Sequence, residues 1–102
     1  MESEIQRAIC DYLSLKGCPF SHTNNAPIYD KTRGAFRALP KYTRKGCPDI
    51  CLIKEGRLYG IEVKSEDGRL SPEQIALGKE IEVNRGVYVV ARSIDDVRAV
   101  GL

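Results

Sequence analysis

Asp49, Glu62 and Lys64 are the residues of this chain whose types and spacing suit hydrolytic chemistry. Two apolar runs, residues 50–53 and 58–63, flank Glu55-Gly56 and read as two strands joined by a tight hairpin. With the turn on Glu55 and Gly56, Lys54 faces Arg57 and Ile53 faces Leu58, and counting outward sets Asp49 opposite Glu62. Directly opposed residues share a face, with Cβ atoms roughly 5 Å apart. Lys64 points the same way because the strand period is two, and a register slip of one residue would break the arrangement. Two carboxylates that close repel, and a hard divalent cation such as Mg²⁺ or Mn²⁺ relieves the repulsion. Such an ion polarises a phosphoryl oxygen and acidifies its bound water. Lys64 would position or help deprotonate the attacking water, or stabilise charge on the phosphate; the spacing does not choose between these roles. Glu-x-Lys in a strand is by itself commonly an exposed charged face. Its setting here is different: it lies within apolar strands, opposite Pro48-Asp49 and beside a basic segment.

The elements that must hold these residues can be traced along the chain. Ser3 is expected to cap a first helix, with Gln6 completing a capping box. Ile5, Ala8, Ile9, Tyr12 and Leu13 then recur on one face until Gly17 ends the element. Residues 18–24 read as a short strand. Residues 25–46 show no period and are broken by Pro27, Gly34 and Pro40. A structureless stretch of roughly 20 residues in a small domain tends to be functional. Ser71-Pro72-Glu73-Gln74 announces a second helix, with Ser71 as cap, Pro72 first and Gln74 closing the box. It carries Ile75, Leu77, Ile81 and Val83 and stops before Gly86. Residues 87–91 are almost wholly apolar, as in a buried strand. Ser93 opens a last short helix through Val100, with Asp96 at its third position. The order is α-β-β-β-α-β-α. The strand–helix–strand unit of residues 58–92 should be a right-handed crossover between parallel strands. The expected fold is therefore α/β, a mixed central sheet flanked by helices.

Composition sets the bounds. A chain of 102 residues with 42% hydrophobic and 29% charged residues is expected to form one compact domain spanning residues 1–102. The net charge of +2 says little, but its distribution is informative. Lys31, Arg33, Arg37, Lys41, Arg44 and Lys45 crowd one stretch that holds no carboxylate, which leaves the rest of the chain net acidic. Residues 1–10 are charged and lack the apolar centre of a signal peptide, and no run approaches the ~20 residues that span a bilayer. A cytoplasmic protein without a membrane association is expected. Cys10, Cys18, Cys47 and Cys51 show neither Cys-x-x-Cys nor zinc-site spacing and read as reduced thiols, with Cys10 and Cys51 in the core. The single histidine, His22, excludes a two-histidine metal site. A Walker-type glycine loop is missing, and no serine or cysteine has an evident histidine partner, so ATP hydrolysis and acyl transfer find no support.

Pro48-Asp49, twelve intervening residues, then Glu62-Val63-Lys64 is the pattern of the PD-(D/E)XK nuclease superfamily. More closely, the chain resembles the virus-type replication–repair nuclease (VRR-NUC) domain. Glu4 in the first helix, the Lys45-Gly46-Cys47-Pro48-Asp49-Ile50 run, the Glu-Val-Lys strand and Leu70-Ser71-Pro72-Glu73-Gln74 carry the resemblance nearly end to end, with Gly86 and residues 93–97 also in place. It implies a restriction-endonuclease-like core in which Asp49, Glu62 and the backbone carbonyl of Val63 bind Mg²⁺ or Mn²⁺ and Lys64 is the catalytic lysine. Glu4 would join the metal site, or else is an acidic residue favoured by the helix dipole. Gln74 would sit near the active centre, or serves only the capping box. Gly46 would allow a close backbone approach just before Asp49.

The basic segment, Lys31, Arg33, Arg37, Lys41, Arg44 and Lys45, is expected to contact DNA phosphates. Tyr29, Phe36 and Tyr42 would stack on unpaired bases or pack within their own loop. The resemblance further implies a homodimeric endonuclease acting on branched DNA such as four-way junctions. Two other readings compete with it. A restriction-type, sequence-specific endonuclease would need recognition elements for which 102 residues leave little room. A non-catalytic DNA-binding module would have no reason to keep Asp49, Glu62 and Lys64 together.

Overall fold

In the computed structural model, residues 1–23, 29–36, 42 and 44–102 are described. Helix α1 (Glu2–Leu15) is followed by β1 (Phe20–His22), a small ribbon of β2 (Tyr29–Asp30) and β3 (Ala35–Phe36), then β4 (Ile50–Lys54), β5 (Arg57–Val63), α2 (Pro72–Val83), β6 (Val87–Ala91) and α3 (Ile94–Arg98). The sheet order is β1-β4-β5-β6. β1, β4 and β5 pair antiparallel, and β6 pairs parallel to β5. The chain is therefore a mixed α/β fold with a four-stranded mixed sheet and three helices. The ribbon adds two strands to the expected order, because two-residue strands are too short to show a period.

Lys54 pairs with Arg57, Ile53 with Leu58 and Ile50 with Ile61, the register that the Glu55-Gly56 turn requires. Both turn residues take positive φ (52° and 78°), the twist-matched geometry of a two-residue hairpin. One sheet face carries Ile50, Leu52, Ile61, Val63 and Ala91, and Ile9, Leu13, Val97 and Leu102 close over it. This is the core, covered by α1 and α3. The opposite face carries Gly60, Glu62 and Tyr88 and meets α2.

The helix ends differ in part from expectation. Ser3 does not cap α1: Met1 is the N-cap, the Ile5 N–H bonds the Met1 carbonyl, and Ser3 lies inside the helix. Ala8 is exposed, so the buried stripe narrows to Ile9 and Leu13 with Ile5 and Tyr12 beside them. Ser71 caps α2 with its full capping box. Ser93 is the N-cap of α3 but makes no side-chain cap bond, and Asp96 instead accepts the Arg92 N–H at 2.8 Å. On α2, Ile75 and Val83 are exposed while Gly78 and Ile81 are buried. The contact face runs through Gln74, Gly78 and Ile81. A Cβ on Gly78 would lie 2.7 Å from the Tyr88 ring, so the missing side chain is what lets the helix settle on the sheet.

All four cysteines are free thiols. Cys10 packs beside the core, but Cys51 points to the opposite, partly open face and is not a core residue. No helix among the described residues is long and apolar enough to cross a membrane.

Candidate active site

Asp49 precedes β4 and Glu62 lies near the end of β5, next to Ile61, the partner of Ile50. Backbone and side-chain bonds fix Asp49 from two sides. Thr23, just past β1, gives its N–H (2.8 Å) and its hydroxyl (3.2 Å) to the Asp49 carbonyl. The same hydroxyl bonds the Pro48 carbonyl. The Asp49 carboxylate then accepts the Val63 N–H at 2.8 Å, clamping the start of β4 to the end of β5. Gly60 makes room for the turn into Asp49, since a Cβ there would lie 2.8 Å from the Pro48 ring. Gly46, at φ +92°, approaches the first turn of α2 so closely that a Cβ would meet the Glu73 carbonyl carbon at 2.7 Å.

Glu62 is 2% exposed, the one charged residue type buried among the described residues. Gln74 Nε2 donates to its Oε2 at 3.1 Å. Meanwhile Gln74 Oε1 accepts the Ser71 N–H at 2.8 Å and the Ser71 hydroxyl accepts the Gln74 N–H at 3.2 Å. The capping role and the site role are thus two ends of one amide. Glu62 Oε1 is buried without a hydrogen-bond partner among the described residues. Burial first, and then the neighbouring Asp49 carboxylate, push the Glu62 carboxyl up to about 8. The Lys64 ammonium acts on it in the opposite sense.

Lys64 is half-buried just past β5, its N–H bonded to the Ala91 carbonyl at 3.0 Å. The loop that follows is held by Arg92, whose Nη1 donates to the carbonyls of Ser65, Glu66 (3.2 Å) and Gly68 (2.9 Å). Gly68 lies over the Lys64 stem, where a Cβ would be 3.3 Å from both Lys64 Cδ and Glu2 Oε2. Glu2 also adds its field to Glu62. Glu4 is exposed in the first turn of α1. Glu2, which sequence spacing did not single out, is a second α1 carboxylate near the site. Thr23, Arg92 and Tyr88 were missed as well, because each acts through backbone or buried contacts that leave no motif. Tyr88 Oη is buried without a partner among the described residues, and its phenol is pushed up to about 12 by burial and by the charges of Glu62 and Asp49.

Among the expected DNA contacts, Lys31 and Arg33 sit exposed in the turn between β2 and β3. Arg44 and Lys45 are ion-paired to α2, Arg44 with Glu80 and Lys45 with Glu73 at 3.3 Å. These pairs are exposed, hold little net energy, and can be exchanged for a phosphate. Arg37 and Lys41 lie outside the described residues, as do the side chains of Tyr29 and Phe36; Tyr42 is exposed. His22 contacts Gln6 through its ring.

A hard divalent cation fits this donor set. No group of three or more His, Cys, Asp or Glu side chains gathers among the described residues. Asp49 and Glu62 still offer two carboxylates, one with a buried oxygen that has no partner among the described residues. Mg²⁺ usually takes one or two carboxylates and keeps several waters, a requirement that two carboxylates match. The site lies at the carboxyl end of the parallel strands β5 and β6, where open α/β sheets place their ligands. No family model, curated protein or solved structure matches the chain.

Proposed function

We propose that this chain is a metal-dependent nuclease of the PD-(D/E)XK type, close in pattern to the VRR-NUC domain, hydrolysing DNA phosphodiesters with Mg²⁺ or Mn²⁺. The observation that carries the reading is the buried Glu62 with its unpartnered oxygen, set beside Asp49 and Lys64. Asp49, Glu62 and the Val63 carbonyl would hold the ion, which when bound polarises the phosphoryl oxygen and acidifies water. Gln74 fixes the orientation of Glu62 from α2. Lys64 supplies a positive charge at the scissile phosphate or at the attacking water. Lys31, Arg33, Arg37, Lys41, Arg44 and Lys45 supply sequence-independent affinity for the phosphate backbone. A homodimer acting on branched DNA is the form of this proposal that suits two-fold symmetric junctions.

Cleavage of four-way-junction, flap and linear duplex DNA by wild type and Lys64→Ala, with Mg²⁺, Mn²⁺ or EDTA, tests it. Metal-dependent cutting that the variant loses is expected. Binding without cutting on every substrate would leave a DNA-binding module instead, and cutting at one fixed duplex sequence would indicate a restriction-type enzyme.

A further inference from the structure

At the end of β5 away from the carboxylates, a cleft of about 610 Å³ opens between residues 56–58 and the C-terminal end of α2. Arg57 and Arg85 line it, and neither side chain has an ion-pair or hydrogen-bond partner among the described residues. Glu80, the acidic residue of the lining, is paired with Arg44, so the cleft is net positive. The helix end that forms its wall would repel an anion if its carbonyls stood free. They are occupied. The Glu80 carbonyl accepts the Asn84 N–H (3.1 Å) and Nδ2 (2.8 Å), the Ile81 carbonyl the Gly86 N–H (2.8 Å) and the Glu82 carbonyl the Arg85 N–H (3.0 Å). This is a Schellman ending with Arg85 at the left-handed position, φ 68°, where glycine is the usual residue. A cation that served the helix dipole could stand in the last turn without that conformation. Yet the last turn of α2 holds no basic residue, and Val83 is exposed there. An arginine held in a costly conformation on the wall of a cleft points to a use in that cleft.

The neighbouring cations indicate what the cleft would hold. Lys45 pairs with Glu73 in the first turn of α2, next to Gln74 and the Glu62 site, and Arg44 pairs with Glu80 farther along. With Arg85 and Arg57 beyond, cations accompany α2 over its 12 residues, about 18 Å. A free phosphate would need the cleft alone, whereas a charge track of that length matches a polyanion. It spans about five phosphates of one duplex strand at roughly 3.4 Å each. We propose that the cleft between the hairpin and the end of α2 is a second contact for the DNA backbone, in which Arg57 and Arg85 hold phosphates remote from the scissile one. The contact presupposes the DNA-cleaving reading above and sets how much DNA must flank the cut.

The test is fluorescence anisotropy of labelled four-way-junction and linear duplex DNA in EDTA, at about 50 to 200 mM salt. It compares wild type with Arg57→Ala, Arg85→Gly and Arg98→Ala. The Arg57 and Arg85 variants are each expected to flatten the slope of log affinity against log salt by about 1. Arg98, on α3 against the other sheet face, should leave the slope unchanged when replaced. Arg85→Gly should melt at the same or a higher temperature, because glycine takes the left-handed position freely. Weaker DNA binding without loss of stability is what a purely structural arginine would not give. Wild-type slopes in both cleft variants, or an equal loss in Arg98→Ala, would overturn the proposal. Wild type that binds DNA but does not cut it with Mn²⁺ would remove the nuclease and leave the cleft. Wild type that binds neither DNA would remove both.

Discussion

Replacing Glu62 by glutamine isolates the energetic consequence of burying this carboxyl. The amide keeps the shape and still accepts from Gln74 Nε2. In wild type the carboxyl titrates near 8 when folded, against 4.5 for the free side chain. Between those values the folded chain holds one more proton than the unfolded chain, so stability falls as pH rises. Each pH unit in that window costs about 1.4 kcal/mol, which accumulates to about 4 kcal/mol between pH 5 and pH 8. That is a large share of the roughly 5–15 kcal/mol available to a small domain. Glu62→Gln lacks the term while sharing every other titrating group, so the difference between the two proteins should be small at pH 5. It should widen to about 4 kcal/mol in favour of the variant at pH 8 and stay level above. Urea unfolding followed by circular dichroism from pH 5 to 9, in EDTA, measures it. Saturating Mn²⁺ should close part of the gap at pH 8 by stabilising only wild type. A stability difference that does not change with pH would refute the account of Glu62.

Other substitutions separate scaffold from chemistry. Asp49→Asn keeps an acceptor for the Val63 N–H, so its melting temperature should stay within about 4 °C of wild type. Mn²⁺ affinity and cleavage should both drop by more than about 100-fold, beyond what removal of an indirect contact does. Gly46→Ala meets both a positive φ and the Glu73 backbone, and should lower unfolding free energy by on the order of 2 kcal/mol in chemical denaturation. Arg92→Met removes the donor to three carbonyls, and hydrogen exchange should accelerate about 10-fold or more at residues 65–68 while the β5 amides stay protected.

Much of this arrangement was legible in the chain. The Glu55-Gly56 turn fixes the hairpin register, and the register alone sets Asp49 against Glu62. Ser71, Pro72 and Gln74 define the start of α2 because a capping box is a local hydrogen-bond pattern written within four residues. What escaped was of a different physical kind. The α2 contact face uses Gln74 and Gly78, residues that carry no hydrophobic signal, so periodicity selected Ile75 and Val83, which are exposed. The ribbon of β2 and β3 is too short to alternate. Glu2, Thr23, Arg92 and Tyr88 come from four separate stretches of chain and meet the site only after folding. Their spacing holds nothing to read.

On the proposed function, Glu62 is kept for chemistry rather than for the scaffold. A residue kept only for structure at this place would do better as glutamine or an apolar side chain, since the carboxyl loses stability across the neutral range and leaves one oxygen unsatisfied. The surrounding elements nevertheless converge on it: Gln74 holds one oxygen from α2, Asp49 is clamped beside it by Val63 and Thr23, and Arg92 anchors the loop after Lys64. Gly46 and Gly78 give up side chains so that α2 can come close. A divalent cation between Asp49 and Glu62 would displace the acid proton and satisfy the free oxygen, turning a costly buried carboxyl into its ligand. The costly buried carboxyl and the proposed metal-dependent nuclease are, on this reading, the same feature seen without and with its ion.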